Sequence, residues 1–589
     1  VQEALLHVRR AERAPAAAHW SFGFALDKHN GLRGLDGKRL IRLVCTFWKF
    51  FFGGLLRKPS SHECELNFDP TCHGYLAHRR REDAMMVTRC VGYALRQKGL
   101  RSVSELLDMS NAFACTPLEW LDEAVEELAE PVDWALLHDR IHHHIVEVEA
   151  RGEALHFALG RGGLMGTCEA PKEFAVAFRR PVQQWRAECA AQDDLLLFKT
   201  PILELPVSCA VVQFADDLKK RHVILSGLAT DAHAIIEESQ TLLITELEKG
   251  GFKQNMKKRE MVSELKPSEN LKFKALLKPG SGKILPHARH LGGRYVWNDN
   301  ASVEVGYRID ALKKGWAVMG RFWFAKSPHK LRRQLFLGKV VGAALSGMCR
   351  YVLSESELHR LDVQICKKLR VMEGGSQVAH DTHVKVLTNK QLMKRWGVVP
   401  SKAALAMQRI RWLQDMVRHP LAHQQVIAAL WGHLEDEPSP IDIEGKLTVS
   451  TSPFARQFTR DLMLLEGISG TEDFFEEWAL VGRAWQELWS CEEVNNAFLK
   501  VDAKLLEVSL MREDQIWKKL APRAKESEEP EGEFVCDLTD SQGAVCGLCF
   551  DSLKKLVAHM TKARGGSHGV MCPLRCCVIA NQCLNCGSL

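Results

Sequence analysis

Two short stretches decide the fold: LDMSNAF at residues 107–113 and FADD at residues 214–217. Each lies at the edge of an apolar run and is followed by turn-forming or polar residues. The run at residues 103–107 predicts a short strand that ends at the first acidic residue. Residues 207–213 predict a buried strand and residues 222–225 its return, which places FADD at the tip of a hairpin.

Three aspartates stand at these strand ends, Asp108, Asp216 and Asp217. Carboxylates that neighbouring strands present side by side hold two Mg²⁺ ions about 3.5–4 Å apart, which is the geometry for in-line phosphoryl transfer. Mg²⁺ prefers hard oxygen ligands and binds through a few carboxylates and the phosphates of the substrate. An isolated Asp-Asp pair is also common in solvated turns, so the surrounding motifs have to decide between the two interpretations.

Those motifs occur in order along nearly the whole chain and consist of basic, glycine and aromatic residues. They are KRLI (38–41), HGY (73–75), RRREDA (79–84), Gly162-x-x-x-Gly166-x-x-x-Ala170-Pro171-x-x-Phe174, Gly251-Phe252 with Asn255 and Lys258, and LGG (291–293). Together with the aspartates, this series resembles the reverse transcriptase of non-LTR (LINE-like) retrotransposons.

The resemblance implies an RNA-directed DNA polymerase that extends a primer 3′-hydroxyl and uses two Mg²⁺ (or Mn²⁺) ions as cofactors. Asp108, Asp216 and Asp217 would hold the metals. Lys258 would face the departing pyrophosphate, where a cation stabilises developing charge and can donate a proton. The alternative for Lys258 is one lysine of a solvated face at residues 253–259.

The resemblance also implies substrate-binding roles for Arg39, Phe113, Gly162 and Gly166. Arg39 would meet the incoming triphosphate, and Phe113 would stand under its sugar. A flat apolar ring there leaves no room for a ribose 2′-hydroxyl, which favours DNA synthesis. Gly162 and Gly166 would permit close backbone approach to template or nucleotide. The alternatives are an ordinary core aromatic for Phe113 and a plain glycine turn for the glycines.

Three positions depart from the family pattern without removing a metal ligand. Ala114 stands where many relatives have a further Asp, Met165 where many have Gln, and Thr167 where most have Asp. These departures concern the positioning of the substrate.

The fold class expected from the resemblance is α+β, a right-hand polymerase followed by a helical connector and a small zinc-finger-like module. The expected domains are partial fingers (1–102), palm with the remaining fingers insertion (103–262), thumb (263–375), helical connector (376–521), acidic linker (522–533) and Cys/His tail (534–589).

Local signals place two helices between the aspartate stretches. Thr116-Pro117-x-Glu119 has the form of a capping box and predicts a helix that stops before Pro131. A second helix should start near Pro171 and carry Phe174 and Phe178 inward. The histidines at 138 and 142–144 predict a polar helix face rather than a metal site, since no convergent partner is evident.

Composition describes a globular chain of several domains. Its 589 residues are 46% hydrophobic and 26% charged. The longest apolar stretch, Leu40 to Leu56, contains Arg42 and Lys49, which makes it a poor membrane span. Because the chain begins with Val, we expect a preceding N-terminal portion, where relatives carry an endonuclease. Most of the nineteen cysteines are scattered, which favours a reducing, intracellular compartment. The resemblance to retrotransposon reverse transcriptases implies a nuclear location.

Basic charge concentrates from the end of the predicted palm through the predicted thumb. Lys249 to Arg289 contains eleven Lys/Arg against three acids, and Ala311 to Arg350 contains nine Lys/Arg and no Asp or Glu. Such segments attract nucleic-acid phosphates, although a solvated basic helix has the same composition. The interleaved aromatics are expected to be core residues. Residues 401–431 and 471–510 have helical periodicity.

The tail after the acidic linker suggests a zinc site. Cys546, Cys549, His559 and His568 have the ligand order of a Cys₂His₂ finger, but eight residues separate the histidines where three to five are usual. Cys583 and Cys586 begin another finger or join two of Cys572, Cys576 and Cys577 in a four-cysteine site. A cysteine-rich tail without metal is the remaining possibility.

The expected partners are an RNA template, a DNA primer and dNTPs, with no membrane. The rival hypothesis is an inactive retroelement remnant that only binds nucleic acid through its basic thumb and zinc tail. Group II intron-type and telomerase-type polymerases are weaker rivals, because neither resemblance explains the tail.

Overall fold

The computed structural model describes most of the chain and divides it into two compact units, Val1–Met511 and Arg512–Leu589. The described residues are 2–27, 38–56, 64, 68–150, 153–163, 166–199, 206–325, 327–373, 387–434, 452–458, 460–461 and the backbone of 534–535, 549–550, 578–579 and 582–583.

The first unit mixes helices with sheets, as expected for an α+β protein. Its α-helices are Gln2–Arg10, Thr46–Leu55, Arg81–Gln97, Ala112–Cys115, Leu118–Leu128, Pro131–His142, Ala170–Glu188, Ala190–Asp193, Ala229–Lys249, Pro267–Leu276, Ala301–Met319, His329–Phe336, Gly342–Leu345, Glu355–Met372, Asn389–Trp396, Ser401–Arg418 and Gln424–Trp431. Short 3₁₀ or π turns are Ala16–Ala18, Asp194–Leu196, Met256–Lys258, Gly320–Phe324, Leu337–Val341 and Met348–Arg350.

The strands form several small sheets. They are β1 Trp20–Asp27, β2 Lys38–Val44, β3 Arg101–Leu107, β4 Ile145–Ala150, β5 Glu153–Ala158, β6 Leu197–Lys199, β7 Pro206–Ser208, β8 Val211–Phe214, β9 Asp217–Ile224, β10 Glu260–Ser263, β11 Lys283–Ile284, β12 His287–His290, β13 Gly293–Val296, β14 His433–Leu434, β15 Phe534–Val535, β16 Cys549–Phe550, β17 Val578–Ile579 and β18 Gln582–Cys583.

The sheet that carries the aspartates has the order β11-β10-β3-β9-β8. Its central strand β3 pairs antiparallel with both β9 and β10, and β8 and β9 form a hairpin. Helices Ala229–Lys249 and Pro267–Leu276 share an apolar core with β3, β9 and β10. The buried members of this core include Val103, Ile224, Ile236, Met261 and Phe273.

The strand predicted at residues 103–107 is confirmed as β3. The single strand predicted at 207–213 is wrong, because β7 and β8 belong to different sheets. The Gln425 side chain explains the break: its Nε2 donates to the carbonyl oxygens of Ser208 and Val211, each at 2.8 Å. The Gln425 side chain thus bonds two carbonyl groups that would pair with a neighbouring strand if residues 207–213 formed one continuous strand. The return strand begins at Asp217 rather than at His222.

Both predicted helices are confirmed, as Leu118–Leu128 and Ala170–Glu188, and Phe174 and Phe178 are buried. The predicted capping box is wrong. Pro117 is the N-cap, and the Thr116 hydroxyl donates to the Ala112 carbonyl at 3.2 Å. Thr116 therefore closes the preceding short helix instead of opening the next one.

A four-stranded sheet with the order β2-β1-β4-β5 was not predicted. β1 pairs parallel with β4, and the other pairs are antiparallel. Ser21 and Val146 are buried under this sheet, whereas Phe22, Phe24 and Leu43 are exposed on it.

The histidine prediction holds only in part. His138 and His142 lie on helix Pro131–His142 near Asp122, as a polar face would. His144 is buried, and its Nε2 lies 2.9 Å from Ser21 Oγ. The polar-face prediction is wrong for His144 because the helix ends at His142 and the chain turns inward toward β4.

The helical prediction for residues 401–431 is confirmed as helices Ser401–Arg418 and Gln424–Trp431. Between them, His423 is fully buried and forms ion pairs with Asp83 (Nδ1–Oδ2, 3.2 Å) and Asp415 (Nε2–Oδ2, 3.6 Å). Burial on its own would lower the pKa of His423, but the two carboxylates raise it to about 9. These ion pairs join the segment around Asp83 to the C-terminal helices.

Because of the raised pKa of His423, we expect the stability of the chain to fall as pH rises from about 6.5 to about 9. A folded-state pKa above the unfolded value of about 6.5 means that the native state binds more protons, so the contribution is complete below about pH 6.5 and lost through about pH 9. It amounts to at most about 3 kcal/mol. Urea denaturation at pH 6 and 9 measures it, and His423→Gln should flatten the slope. An equal slope in both proteins would contradict the assignment.

In the second unit the structure describes only backbone, with β15 paired to β16 and β17 to β18. Cys546, His559, His568, the acidic linker and residues 471–510 lie outside the described residues, and Cys549 is described only as backbone of β16. Among the described residues, no helix combines the length and the apolar character that crossing a membrane requires.

Candidate active site

Asp108, Asp216 and Asp217 come together at one end of the five-stranded sheet. Leu107 pairs with Leu218, so Asp108 leaves β3 beside the first residue of β9, which is Asp217. Phe214 pairs with Asp217 across a two-residue turn that contains Asp216. Ala215, the first turn residue, has φ 57°, as a tight hairpin turn requires. The hairpin tip predicted for the aspartate pair is therefore confirmed.

The electrostatics of these carboxylates favour a cation. Burial raises the pKa of Asp217, and the nearby carboxylates of Asp216 and Asp108 raise it further, to about 6. Lys258 and Arg289 oppose this rise. Like charges held this close destabilise one another, and a bound divalent cation would relieve the repulsion.

Lys258 lies at the same place. Its Nζ is 3.0 Å from Asp108 Oδ2. The loop that carries it is held to the strand end by backbone bonds from Asn255 N to Asp108 O (2.8 Å) and from Ser110 N to Lys253 O (2.8 Å). The Lys258 side chain is 65% exposed, so it can move between the carboxylate and a ligand.

A buried ionic cluster locks the strands behind the aspartates, and sequence reasoning missed it. Glu105 Oε1 accepts from Arg259 at 2.5 and 2.9 Å, and Glu105 Oε2 lies 2.6 Å from His222 Nε2. Burial on its own would raise the pKa of Glu105, but Arg259 and His222 lower it to about 2. The available signal was the run KKRH at 219–222. Its four basic side chains lie in the buried strand β9, and buried cations need acidic partners.

Glycine at position 74 lets another segment pack against the hairpin. His73 N donates to Gln213 O, and Gln213 N to Thr71 O, each at 2.8 Å, which ties this segment to β8. A Cβ on Gly74 would lie 2.2 Å from Ala215 N. Next in sequence, Tyr75 has a raised pKa from burial and from the nearby Asp216 and Asp217.

We expect Gly74→Ala to displace the hairpin turn, because the methyl group would collide with backbone that cannot move aside. A shift of about 1 Å in a catalytic group can reduce turnover about 100-fold, and overpacking costs about 1–3 kcal/mol. The rate of the primer extension proposed below measures the displacement of the hairpin turn, and thermal melting measures the cost of overpacking. Gly54→Ala is the matched control, since its Cβ would meet nothing within 4 Å. Equal behaviour of the two variants would contradict this packing role.

Phe113 is half-buried beside the aspartates, on the short helix that follows Asp108. Its ring stacks on Phe174 with centroids 4.0 Å apart and meets Tyr75 edge-on at 5.8 Å. Asn111 enters this helix with φ 51° and ψ 38°, the left-handed region that Asn tolerates. The aromatic stack gives the Phe113 ring a defined orientation.

The two motif glycines approach protein backbone closely. At Gly162, which has φ 89°, a Cβ would lie 2.8 Å from Ala114 Cα. Gly162 N donates to Thr116 O and Gly163 N to Phe113 O, so this turn supports the Phe113 helix. At Gly166, which has φ 105°, a Cβ would lie 2.4 Å from Arg42 O. The predicted approach to template or nucleotide remains a prediction.

Arg39 lies on β2, opposite Leu26 of β1, in the four-stranded sheet. Its side chain, like Met165, lies outside the described residues. Thr167 is buried, and its Oγ1 accepts from Ala170 N at 3.2 Å at the start of the helix that carries Phe174. Thr167, one of the positions that depart from the retrotransposon pattern, therefore makes a structural hydrogen bond at the start of this helix.

The basic region at 311–350 divides into structural and exposed cations. Arg350 is fully buried, and Arg333 donates to the carbonyls of Trp396 (2.8 Å) and Gly397 (3.0 Å). Lys314 and Lys339 are exposed. The expectation that the aromatics are core residues is met by Trp323 and Phe336, although Phe324 is 66% exposed.

Comparison with known proteins finds no matching family model and no matching curated sequence. Among solved structures, the chain is similar to telomerase from Candida albicans in complex with a TWJ fragment of telomeric RNA, with TM-score 0.35, 12% identity, and coverage of 81% of this chain and 67% of that one. Apo telomerase from Candida tropicalis has TM-score 0.36, 10% identity, and coverage of 79% and 70%. A Candida tropicalis telomerase truncated from its C-terminal domain has TM-score 0.32 and 13% identity; the match covers 44% of this chain and about half, 52%, of that one.

Proposed function

We propose that the protein is an RNA-directed DNA polymerase of the retrotransposon kind. The observation that carries the proposal is the meeting of Asp108, Asp216 and Asp217 at the ends of two adjacent strands. Three carboxylates supply the hard oxygen ligands and the negative charge that a pair of divalent cations requires. The raised pKa of Asp217 reflects, in part, the closeness of the other two carboxylates.

These aspartates would hold two Mg²⁺ ions, which when bound activate the primer hydroxyl and neutralise the leaving pyrophosphate. The chain supplies the rest. Lys258 would leave Asp108 and turn to the departing phosphate as a cationic donor. The hairpin, the Gly74 segment and the 253–258 loop fix the carboxylates before substrate arrives, so little reorganisation is needed during the reaction.

The nucleic-acid partners follow from the same proposal. An RNA template and a DNA primer would bind along exposed cations such as Lys314 and Lys339, through phosphates and without regard to sequence. The Cys/His tail remains a proposed zinc module, with Cys546, Cys549, His559 and His568 as its ligands.

Primer extension tests the proposal directly. The full chain is incubated with an RNA template, a labelled DNA primer, dNTPs and Mg²⁺ or Mn²⁺, and product length is read on a denaturing gel. Metal-dependent extension is expected, and chelation should abolish it. Tight template–primer binding with no extension under either metal would instead establish the inactive binding protein.

Sugar selection provides a separate test of Phe113. Phe113→Val removes the ring that would contact a 2′-hydroxyl, and we expect the preference for dNTPs over rNTPs to fall by about 10- to 200-fold, the range that about 1–3 kcal/mol of selection gives. Competition between dNTPs and rNTPs in primer extension measures it. Phe50→Val, at a side chain that is 66% exposed, is the control. An unchanged preference in an active Phe113→Val variant would exclude the steric role.

A further inference from the structure

Outside the candidate active site, two histidines meet one carboxylate at the end of the four-stranded sheet where β1 and β4 begin. His19 Nε2 lies 3.0 Å from Asp139 Oδ2, and His143 Nδ1 lies 3.1 Å from Asp139 Oδ1. One candidate ligand atom from each of the three residues lies within 4.8 Å of the others. This arrangement, the His19–Asp139–His143 cluster, is independent of the aspartates that the proposed polymerase would use.

The local fold explains why these side chains converge. Asp139 and His143 are four residues apart at the C-terminal end of helix Pro131–His142, so they share one face. His19 follows the 3₁₀ turn Ala16–Ala18 and faces them from the N-terminal segment. Ala14 N donates to Asp139 Oδ2 at 2.8 Å. This backbone bond orients the carboxylate, in the way that outer hydrogen bonds orient metal ligands.

We propose that the His19–Asp139–His143 cluster binds a transition-metal ion of the Zn²⁺ class. Two imidazoles and one carboxylate suit such an ion, which binds nitrogen at about 2.0–2.1 Å and oxygen at about 2.0–2.2 Å. Tetrahedral bonds of that length separate neighbouring ligand atoms by about 3.3 Å. The two nitrogen–oxygen distances at Asp139 are already close to this value, so modest side-chain rotation completes the site.

The remaining coordination position is open to water. The His143 side chain is 65% exposed, while His19 and Asp139 are each 13% exposed. The metal can therefore enter from solvent on the His143 side. Coordination replaces the present contacts of His143 Nδ1 with Asp139, which include the Asp139 carbonyl at 3.0 Å.

A second cluster of two histidines and one aspartate differs from the first in the cations that already pair with its carboxylate. His78, Asp415 and His419 also lie within ligand distance of one another. There, Arg80 and His423 already pair with Asp415 and supply positive charge that a metal ion would have to displace. Asp139 forms ion pairs only with histidines among the described residues, and histidines can give up their protons to bind a metal.

The site would join the N-terminal segment to the body of the first unit. Helix Gln2–Arg10 makes an ionic contact with helix Pro131–His142, in which Arg9 Nε lies 2.5 Å from Asp133 Oδ1. A metal between His19 and helix Pro131–His142 would reinforce the contacts that Ala14 and His19 already make with Asp139. Metal binding to the native state should therefore raise the melting temperature of the full chain.

The test compares metal content in three forms of the 589-residue chain. Each is stripped with chelator, dialysed against buffered Zn²⁺ and measured by elemental analysis. We expect His143→Gln to bind one zinc fewer per chain than the parent, with affinity for the lost ion reduced by more than the 10- to 100-fold typical of outer-shell changes. His142→Gln is the matched control: it removes the adjacent histidine, which contacts Asp122.

Cobalt separates this site from the cysteine-rich tail. Co²⁺ bound by cysteine gives near-ultraviolet thiolate charge-transfer bands, whereas Co²⁺ at the His19–Asp139–His143 cluster gives only visible ligand-field bands. His143→Gln should remove part of the visible absorption and leave the thiolate bands unchanged. Equal zinc content and equal visible spectra in His143→Gln and His142→Gln would overturn the proposal.

Misfolding is excluded by a second measurement. Without metal, the parent and His143→Gln should melt at the same temperature, because an exposed side chain contributes little to packing. With Zn²⁺, only the parent and His142→Gln should gain stability. Asp139→Asn, which keeps the side-chain size, should also gain no stability from Zn²⁺. A zinc-dependent gain that survives in both His143→Gln and Asp139→Asn would also overturn the proposal.

Discussion

Asp217→Asn is expected to reduce primer extension by about a thousandfold, because loss of a metal-binding charge removes several kcal/mol of transition-state stabilisation. The substitution keeps the size of the side chain and the β8–β9 hairpin intact. Template–primer affinity should stay within about twofold, since the phosphates are held by cations elsewhere. Single-turnover extension and a filter-binding titration measure the two quantities on the same preparation.

Asp231→Asn is the matched control. It makes the same change at an exposed aspartate in the first turn of helix Ala229–Lys249, and both extension and binding should remain at parental levels. Asp108→Asn and Asp216→Asn should behave like Asp217→Asn. Robust extension by any of these three variants would exclude that residue as a metal ligand, and robust extension by all three would exclude the proposed site.

The second large effect concerns stability. Glu105→Ala is expected to destabilise the chain by about 3–5 kcal/mol, because it leaves the buried Arg259 guanidinium without its carboxylate partner. Arg259 and Glu105 are 0% and 1% exposed at their side chains. The ion pair joins β3 to the residue that precedes β10, next to Lys258, so activity should fall together with stability. Urea denaturation of the full chain measures the loss.

A double variant distinguishes pairing from packing. In Glu105→Leu combined with Arg259→Leu both charges are gone, and burying two apolar side chains should recover much of the lost stability. If the double variant is as unstable as the sum of the single variants, the ion pair is not the origin of the effect.

Sequence patterns were sufficient where a local signal coincided with a buried strand or helix. The apolar run before Asp108 predicted β3, and the spacing of Phe174 and Phe178 predicted the buried face of helix Ala170–Glu188. The LGG motif at 291–293 places a turn where the structure has one: Leu291 and Gly292, both at positive φ, join β12 to β13. In each case the residues that determine the element lie within a few positions of one another in the chain.

Patterns failed where a distant side chain replaced a local partner. Gln425 interrupts the strand predicted at 207–213 from more than two hundred positions away in the chain. His144 was assigned to a helix face because the end of the helix at His142 was not recognised. The histidine cluster gained its partner, His19, from more than one hundred positions away in the chain, because the parallel pairing of β1 with β4 places His19 beside the end of helix Pro131–His142.

By itself, the sequence determined that three aspartates stand at the ends of strands, because a strand ends where an apolar run meets turn-forming residues. Only the tertiary structure decided that Lys258 pairs with Asp108, that Glu105 bonds Arg259 and His222, and that Gly74 lies against the hairpin turn. For the Glu105 cluster and for Gly74, the physical reason is that burial makes charge pairing and close packing obligatory, whereas the exposed Lys258 is brought to Asp108 by the backbone bonds of its loop. Which residues meet that obligation depends on how the sheet brings separate segments together.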